Sequence, residues 1–218
     1  MIPVNPQSPP SDFNSKVRNP GQRFLRTFPG RPSDNDYGRN KAKYWVLALD
    51  QLYFKYNKIC AYSAELIFST KKKRQHSVDH FIPKSKDIDL SFVYEWSNFR
   101  LCLKQINNFK DSDFVIDPFK IKYDWFIIDF EVNRIKPNTG LDPILRLEII
   151  NTIRILDLNN IIFQNKRTAW IDRYYKGITD LNGLQQKAPF IRYEIVRQGY
   201  EEKVKEIHER YLRGIGIL

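Results

Sequence analysis

Val78-Asp79-His80-Phe81-Ile82-Pro83-Lys84-Ser85 is followed by Trp96-Ser97-Asn98-Phe99-Arg100-Leu101-Cys102 and then by Ile106-Asn107-Asn108-Phe109-Lys110-Asp111. Asn98 lies 18 residues after His80, Asn107 lies 9 after Asn98, and Lys110 lies 3 further on. An Asp-His pair alone is ordinary in a folded protein. Here it stands with a proline, two amides and a lysine at short range, which singles the stretch out. The run Lys71-Lys72-Lys73-Arg74 immediately precedes it. That run reads most simply as a solvated loop and alternatively as a phosphate contact.

Around this stretch the chain has 218 residues, enough for one domain with appendages or two small ones. Hydrophobic residues at 42% and aromatics at 14% suffice for a packed core, which excludes wholesale disorder. No apolar run reaches the roughly 18 residues a membrane helix needs, and MIPVNPQSPP lacks the regions of a signal peptide. The expectation is a cytoplasmic protein without a membrane partner. Two cysteines, Cys60 and Cys102, make neither a disulfide framework nor a four-ligand zinc set. Lys plus Arg total 36 against 25 Asp plus Glu, a net charge of +11. That excess points to a polyanion, nucleic acid first, more than to a small metabolite, with a merely solvated cationic surface as the bland alternative.

Residues 1–36 hold seven of the twelve prolines and read as an extended arm with at most short turns. Arg18, Arg23, Arg26 and Arg31, interleaved with Phe24 and Phe28, suit either a phosphate backbone or a strap packed on its own domain. Residues 37–218 read as a single domain. Tyr44, Trp45, Leu47, Ala48, Leu52 and Tyr53 predict a helix from Arg39 to Tyr56. Asp124 to Arg134 alternates in part and reads as a strand or hairpin arm, ending at a turn over Pro137-Asn138-Thr139-Gly140. Asp142-Pro143 opens a helix with Ile144, Leu147, Ile150, Ile153 and Leu156 about every third residue, which stops at Asn159-Asn160. Further helices are expected from Ile162 to Lys176 and from Phe190 to Arg213. The fold class is α+β.

The pattern of Asp79, His80, Asn98, Asn107 and Lys110 resembles the HNH endonuclease signature. The resemblance implies a ββα-metal finger over about residues 58–113, embedded in a mostly helical domain with the helical part over about 114–218. Hydrolysing a phosphodiester needs an activated water, a cation to neutralise charge growing on the phosphate, and stabilisation of the leaving 3′ oxygen. Mg2+, or Mn2+ in its place, prefers oxygen ligands and keeps several waters, so Asp79 and Asn107 are the expected metal ligands. A one-residue slip would exchange Asn107 for Asn108. His80, with an unperturbed pKa near 6.5, is the expected general base. Asn98 is expected to brace the loop near it. Lys84 and Lys110, with Lys71, Lys72, Lys73 and Arg74, are the candidate nucleic-acid contacts.

Many HNH proteins carry structural zinc on two Cys-x-x-Cys pairs. This chain reads Cys60-Ala61-Tyr62-Ser63 at the first pair and places Leu103 and Ile106 at the second. No structural zinc is therefore expected, with apolar packing in its place and Cys60 near Leu103 and Ile106. The order of a Pro-rich start, this core, Arg134-Ile135-Lys136-Pro137-Asn138 and Thr152 to Asn159 also resembles the HNH subunits of Septu-type anti-phage systems, some of them retron-associated. That resemblance implies an ATPase partner and DNA as the target, with RNA left open. A free-standing restriction-like nuclease and a non-catalytic nucleic-acid-binding module are the rival readings.

Overall fold

Val78, Phe99 and Leu101 carry the branched or aromatic side chains that suit a buried pleated surface. They build an antiparallel pair, β1 (His76–His80) and β2 (Phe99–Leu103), with Val78 opposite Leu101 and His80 opposite Phe99. The computed structural model describes residues 1–70, 73–84 and 89–216. Helices account for 49% of the chain and strands for 10%, in small antiparallel sheets, so the fold is α+β. Its contacts cluster into two units, Asn5–Cys60 with Ile67–Phe114, and Met1–Val4 with Ala61–Leu66 and Val115–Leu218. Among the described residues, no helix is long and apolar enough to cross a membrane.

In the unit that carries the hairpin, a π-helical turn (Asn14–Arg18) leads into α1 (Asn19–Thr27), followed by α2 (Asp34–Arg39), a 3-10 turn (Tyr44–Ala48) and α3 (Leu49–Lys55). Short 3-10 turns at Leu90–Tyr94 and Trp96–Asn98 precede β2, and α4 (Lys104–Lys110) follows it directly. The expected extended arm is thus corrected over residues 14–27, which are helical. Pro20 falls in the first turn of α1, where its missing N–H costs nothing. Phe13, Val17 and Gly21 recur every fourth residue and are buried on one face. The Phe13 ring meets Trp96 and Phe99 edge-on at 5.4 and 5.8 Å. The helix expected from Arg39 to Tyr56 is also corrected. It is interrupted where Lys41 takes φ +52 and the Ala42 N–H returns to the Tyr37 carbonyl at 2.8 Å, which ends α2.

In the other unit, β3 (Phe126–Asp129) pairs antiparallel with β4 (Arg134–Pro137), Ile128 opposite Ile135. The turn between them lies at 130–133, with Asn133 at φ +50, ahead of the Pro137–Gly140 turn suggested by sequence. Helices α5 (Pro143–Ile155), α6 (Ile161–Tyr175), α7 (Leu181–Lys187), α8 (Pro189–Arg197) and α9 (Val204–Gly214) complete it. The helix expected from Phe190 to Arg213 is two, because Gly199 takes φ +64 and the Tyr200 N–H returns to the Ile195 carbonyl at 2.9 Å. Only glycine adopts that conformation without strain. Two buried charges hold the unit together. Arg167 donates to the carbonyls of Asn133 and Leu158 and to Asn159 Oδ1, and Glu194 accepts from the Ile128 N–H and from Arg197. In α5 Ile144, Leu147 and Ile150 are exposed, while Ile149, Thr152 and Ile153 face inward. Steps of three residues drift by about 60° each against a 3.6-residue turn, so this series winds around the helix.

The packing of α1 gives a first prediction. A Cβ on Gly21 would stand 2.2 Å from Tyr94 Cγ, and Tyr94 is fully buried with its hydroxyl donating to the Ala42 carbonyl at 2.7 Å. Alanine favours a helix by about 1 kcal/mol, whereas overpacking a fixed ring costs about 1–3 kcal/mol. Gly21→Ala should therefore lower the urea midpoint of unfolding, and an unchanged or higher midpoint would show that Tyr94 gives way.

Candidate active site

Asp79 and His80 are the last two residues of β1, where the chain leaves the hairpin. Lys110, in the last turn of α4, reaches back to this end. Its ammonium lies 3.1 Å from Asp79 Oδ1 and donates to the His80 and Phe81 carbonyls at 3.2 and 3.5 Å. The two side chains are 0% and 2% exposed. Lys110 is thereby corrected as a candidate phosphate contact: it is enclosed, and its three N–H groups face three acceptors.

The His80 ring stands edge-on to Trp45 at 4.8 Å and to Phe99 at 5.3 Å. Its Nε2 lies 3.0 Å from the Val93 carbonyl. A carbonyl can only accept, so the bond assigns the proton to Nε2 and leaves Nδ1 as the nitrogen with a lone pair. Burial above all, then the positive charges of Lys84 and Lys110, hold its pKa well below the ordinary histidine value, while the Val93 bond opposes them. The ring is neutral at pH 7. Asn98 grips the chain beside it. Its Oδ1 accepts from the Ile82 N–H at 2.7 Å, and its Nδ2 donates to the Ile82 and Phe92 carbonyls, each at 3.1 Å.

Asp79, His80, Lys84, Asn107 and Asn108 line one open cleft of about 390 Å³, together with Asp34, Trp45, Val78, Pro83 and Asp111. Asn107 is half-buried and Asn108 exposed. Lys84 Nζ stands 3.4 Å from Asp34 and 5.4 Å from the centre of the Trp45 ring. Lys73 and Arg74 do not line this cleft. Lys73 closes a turn with Thr70, and Arg74 pairs with exposed Asp50 at 3.1 Å. Lys71 and Lys72 lie outside the described residues.

The sequence reading missed Asp34, Trp45 and Asp111. Asp111 was within reach, because it follows Asn107 by four residues and so returns to the same side of the helix. It ends α4 at φ +44, ψ −116, a conformation rarely adopted by residues other than glycine. Asp79, Asn107 and Asp111 supply oxygen donors of the kind a hard divalent cation takes. Among the described residues, no three His, Cys, Asp or Glu side chains converge, so any such site draws on the amide as well.

At the place of the zinc pairs, the donors do not fit that metal. Cys60 Sγ lies 3.5 Å from the Leu103 N–H, and Cys60, Cys102, Leu103 and Ile106 are all buried. Burial and the neighbouring Cys60 push the Cys102 thiol well above its ordinary pKa, so it stays protonated, whereas zinc binds thiolate. No family model matches the chain, and no curated protein does.

Two predictions follow from these contacts. Lys110→Met leaves the Asp79 charge buried and without its ammonium, a loss that typically costs 3–5 kcal/mol, so its urea midpoint should fall far more than that of Lys84→Met at the rim. His80 binds a proton more readily in the unfolded chain than in the folded one. Between the unfolded pKa and the lower folded one, stability should therefore fall with falling pH, by up to about 1.4 kcal/mol per unit. Urea midpoints at pH 7.5, 6.5 and 5.5 in EDTA should decline more steeply for the wild type than for His80→Gln. Parallel declines would show that His80 takes no part in the acid loss.

Proposed function

We propose that this protein is a divalent-metal-dependent endonuclease of the HNH type, hydrolysing phosphodiester bonds in DNA, with β1, β2 and α4 as its ββα finger. The observation that carries the reading is His80 itself. Its ring is neutral, fixed through Nε2 by the Val93 carbonyl, and lines one cleft with Asp79, Asn107 and Asp111. That arrangement suits a base that takes a proton from water beside a cation-binding set of oxygens.

In this mechanism Asp79 and Asn107 would hold Mg2+ or Mn2+, with Asp111 adding negative charge at the same helix end. The ion, when bound, neutralises charge on the phosphate and on the departing 3′ oxygen. His80 Nδ1 accepts a proton from the attacking water as its oxygen bonds to phosphorus and the bond to the 3′ oxygen breaks. Nε2 keeps its proton, and the Val93 carbonyl orients the ring and stabilises the imidazolium. Asn98 fixes the chain at Ile82 and Phe92, so the ring meets the cleft in one orientation. Lys84 supplies a cation at the rim for a flanking phosphate, and the +11 net charge favours the approach of a polyanion. An ATPase partner of the Septu type would restrain or trigger the cleavage.

His80→Ala should lower Mg2+-dependent plasmid cleavage by at least about 10²-fold while leaving DNA affinity within a few-fold. Asp111→Asn should raise the Mg2+ concentration needed for half-maximal rate. The assay is run with and without a co-expressed candidate ATPase. Cleavage by folded His80→Ala at the wild-type rate would overturn the base, and loss of DNA binding alone would recast His80 as a binding residue.

A further inference from the structure

Phe54, near the end of α3, and Phe68, in the loop before β1, are 64% and 66% exposed. Three hydrogen bonds bring them to one surface. The Ile67 N–H donates to the Lys58 carbonyl at 2.8 Å, the Lys58 N–H donates to the Tyr53 carbonyl at 2.8 Å, and the Tyr53 hydroxyl donates to the Ile67 carbonyl at 2.6 Å. Tyr53 and Ile67 are buried, and the ring that follows each of them in the chain is left outside. Cations surround the pair. Lys58 Nζ stands 5.6 Å from the centre of the Phe54 ring, and Lys73 closes the turn that begins at Thr70, two residues beyond Phe68. The Lys104 N–H donates to the Gln75 carbonyl at 2.8 Å, which sets a further exposed lysine beside the same loop. The acidic neighbour is Asp50, and Arg74 pairs with it at 3.1 Å. The Tyr53 ring stacks on His76 at 4.1 Å, so this surface adjoins the start of β1, whereas His80 ends that strand. Four residues of strand separate the two ends by about 13 Å.

We propose that this surface binds an unpaired nucleic-acid strand, with bases stacked on Phe54 and Phe68 and phosphates held by Lys58, Lys73 and Lys104. It lies apart from the cleft, and binding there does not depend on the catalytic reading. The chemistry of the two partners matches unit by unit. Each nucleotide carries one flat aromatic base and one negative phosphate, and the surface offers exposed rings interleaved with ammonium groups. A duplex meets only half of this, because its base faces are already stacked on one another. An acidic protein would meet the cations but supplies no such repeat of ring and charge. Stacking on an aromatic side chain tolerates every base, so the site selects for an unpaired strand and not for a sequence.

Fluorescence anisotropy with labelled oligo(dT) and oligo(rU) of about 15 nucleotides, and with a duplex of the same length, tests this on the full chain. EDTA is present throughout, so that metal-dependent cleavage plays no part. Both single strands should bind more tightly than the duplex, and any difference between them separates DNA from RNA as the preferred source. Phe54→Ala and Phe68→Ala should each weaken single-strand binding about tenfold with unchanged urea midpoints. Phe54→Leu should lose as much, because it keeps apolar bulk without a ring, and Phe54→Trp should bind at least as well as the wild type. Lys58→Ala and Lys73→Ala should each make the slope of log affinity against log salt shallower by about 0.7. A strand carrying 5-iodouracil, irradiated in the complex, should crosslink to the peptides that contain Phe54 or Phe68. A wild type that binds no single strand at about 100 μM would overturn the proposal and assign the surface to a different molecule. Phe54→Leu binding like the wild type, or the two alanine variants losing duplex and single strand equally, would overturn stacking. Crosslinks confined to peptides of the cleft would overturn the location.

Discussion

One ammonium group fixes the geometry of the cleft. Lys110 is fully buried, and placing a charge out of water costs several kcal/mol unless it is closely paired. Its acceptors are Asp79 Oδ1 and the carbonyls of His80 and Phe81, three consecutive residues at the point where β1 ends. A displaced α4 would part the ammonium from these acceptors. The constraint therefore sets how α4 docks on β1, and with it the facing of Asn107 and Asp111, one turn apart on either side of the lysine's own turn. It also bears on what the cleft can bind. The ammonium already meets part of the Asp79 charge, so a cation arriving in the cleft competes with it. Asp111, exposed at the rim and free of that enclosure, would supply extra negative charge to such a cation.

The imidazole is fixed from the opposite side by the loop that joins the strands. Phe92 and Val93 offer adjacent carbonyls, one taken by Asn98 Nδ2 and the other by His80 Nε2. Because Asn98 also holds both backbone groups of Ile82, its carboxamide ties the outgoing and returning ends of the loop together. A loop that moved would carry the Val93 carbonyl with it and release the ring. Trp45 and Phe99, edge-on to the imidazole, exclude water from the rest of it, and this burial keeps the ring neutral. Orientation and protonation state thus have different sources, one from backbone acceptors and the other from aromatic packing.

Asp79, His80, Asn98 and Asn107 were legible because short-range spacing carries them: the end of a strand, a bracing amide and one turn of helix all lie within 33 residues of Asp79, whereas Asp34 and Trp45 lie 45 and 34 residues before it. The environment of each was less legible. Nothing local distinguishes a lysine at the rim of a cleft from one that faces three acceptors across a hairpin, so Lys84 and Lys110 looked alike in sequence and differ in place. The arm failed for a related reason. Seven prolines obscured the four-residue recurrence of Phe13, Val17 and Gly21, and the last of these is a contact that only Tyr94, 73 positions away, reveals. Gly199 could have been read as a helix end, but apolar residues on both sides made the two helices look continuous.

The C-terminal unit inverts the usual arrangement of polar and apolar groups. Arg167 and Glu194 are buried, each with several partners, while three branched or aliphatic side chains of α5 face water. Burial lowers the Arg167 pKa to about 10, so it remains charged at pH 7 and must keep its acceptors. Those acceptors are backbone carbonyls of the β3–β4 turn and of the α5–α6 connection, with the Asn159 amide. The inner face of α5 is set by this network and by Thr152, whose hydroxyl accepts from the Ile116 N–H. Turning α5 to bury Leu147 would pull Thr152 from that bond and bring Asn151 and Arg154, now exposed, toward the interior. The polar contacts thus hold the apolar stripe outward, against the roughly 25 cal/mol per Å² that burial would return.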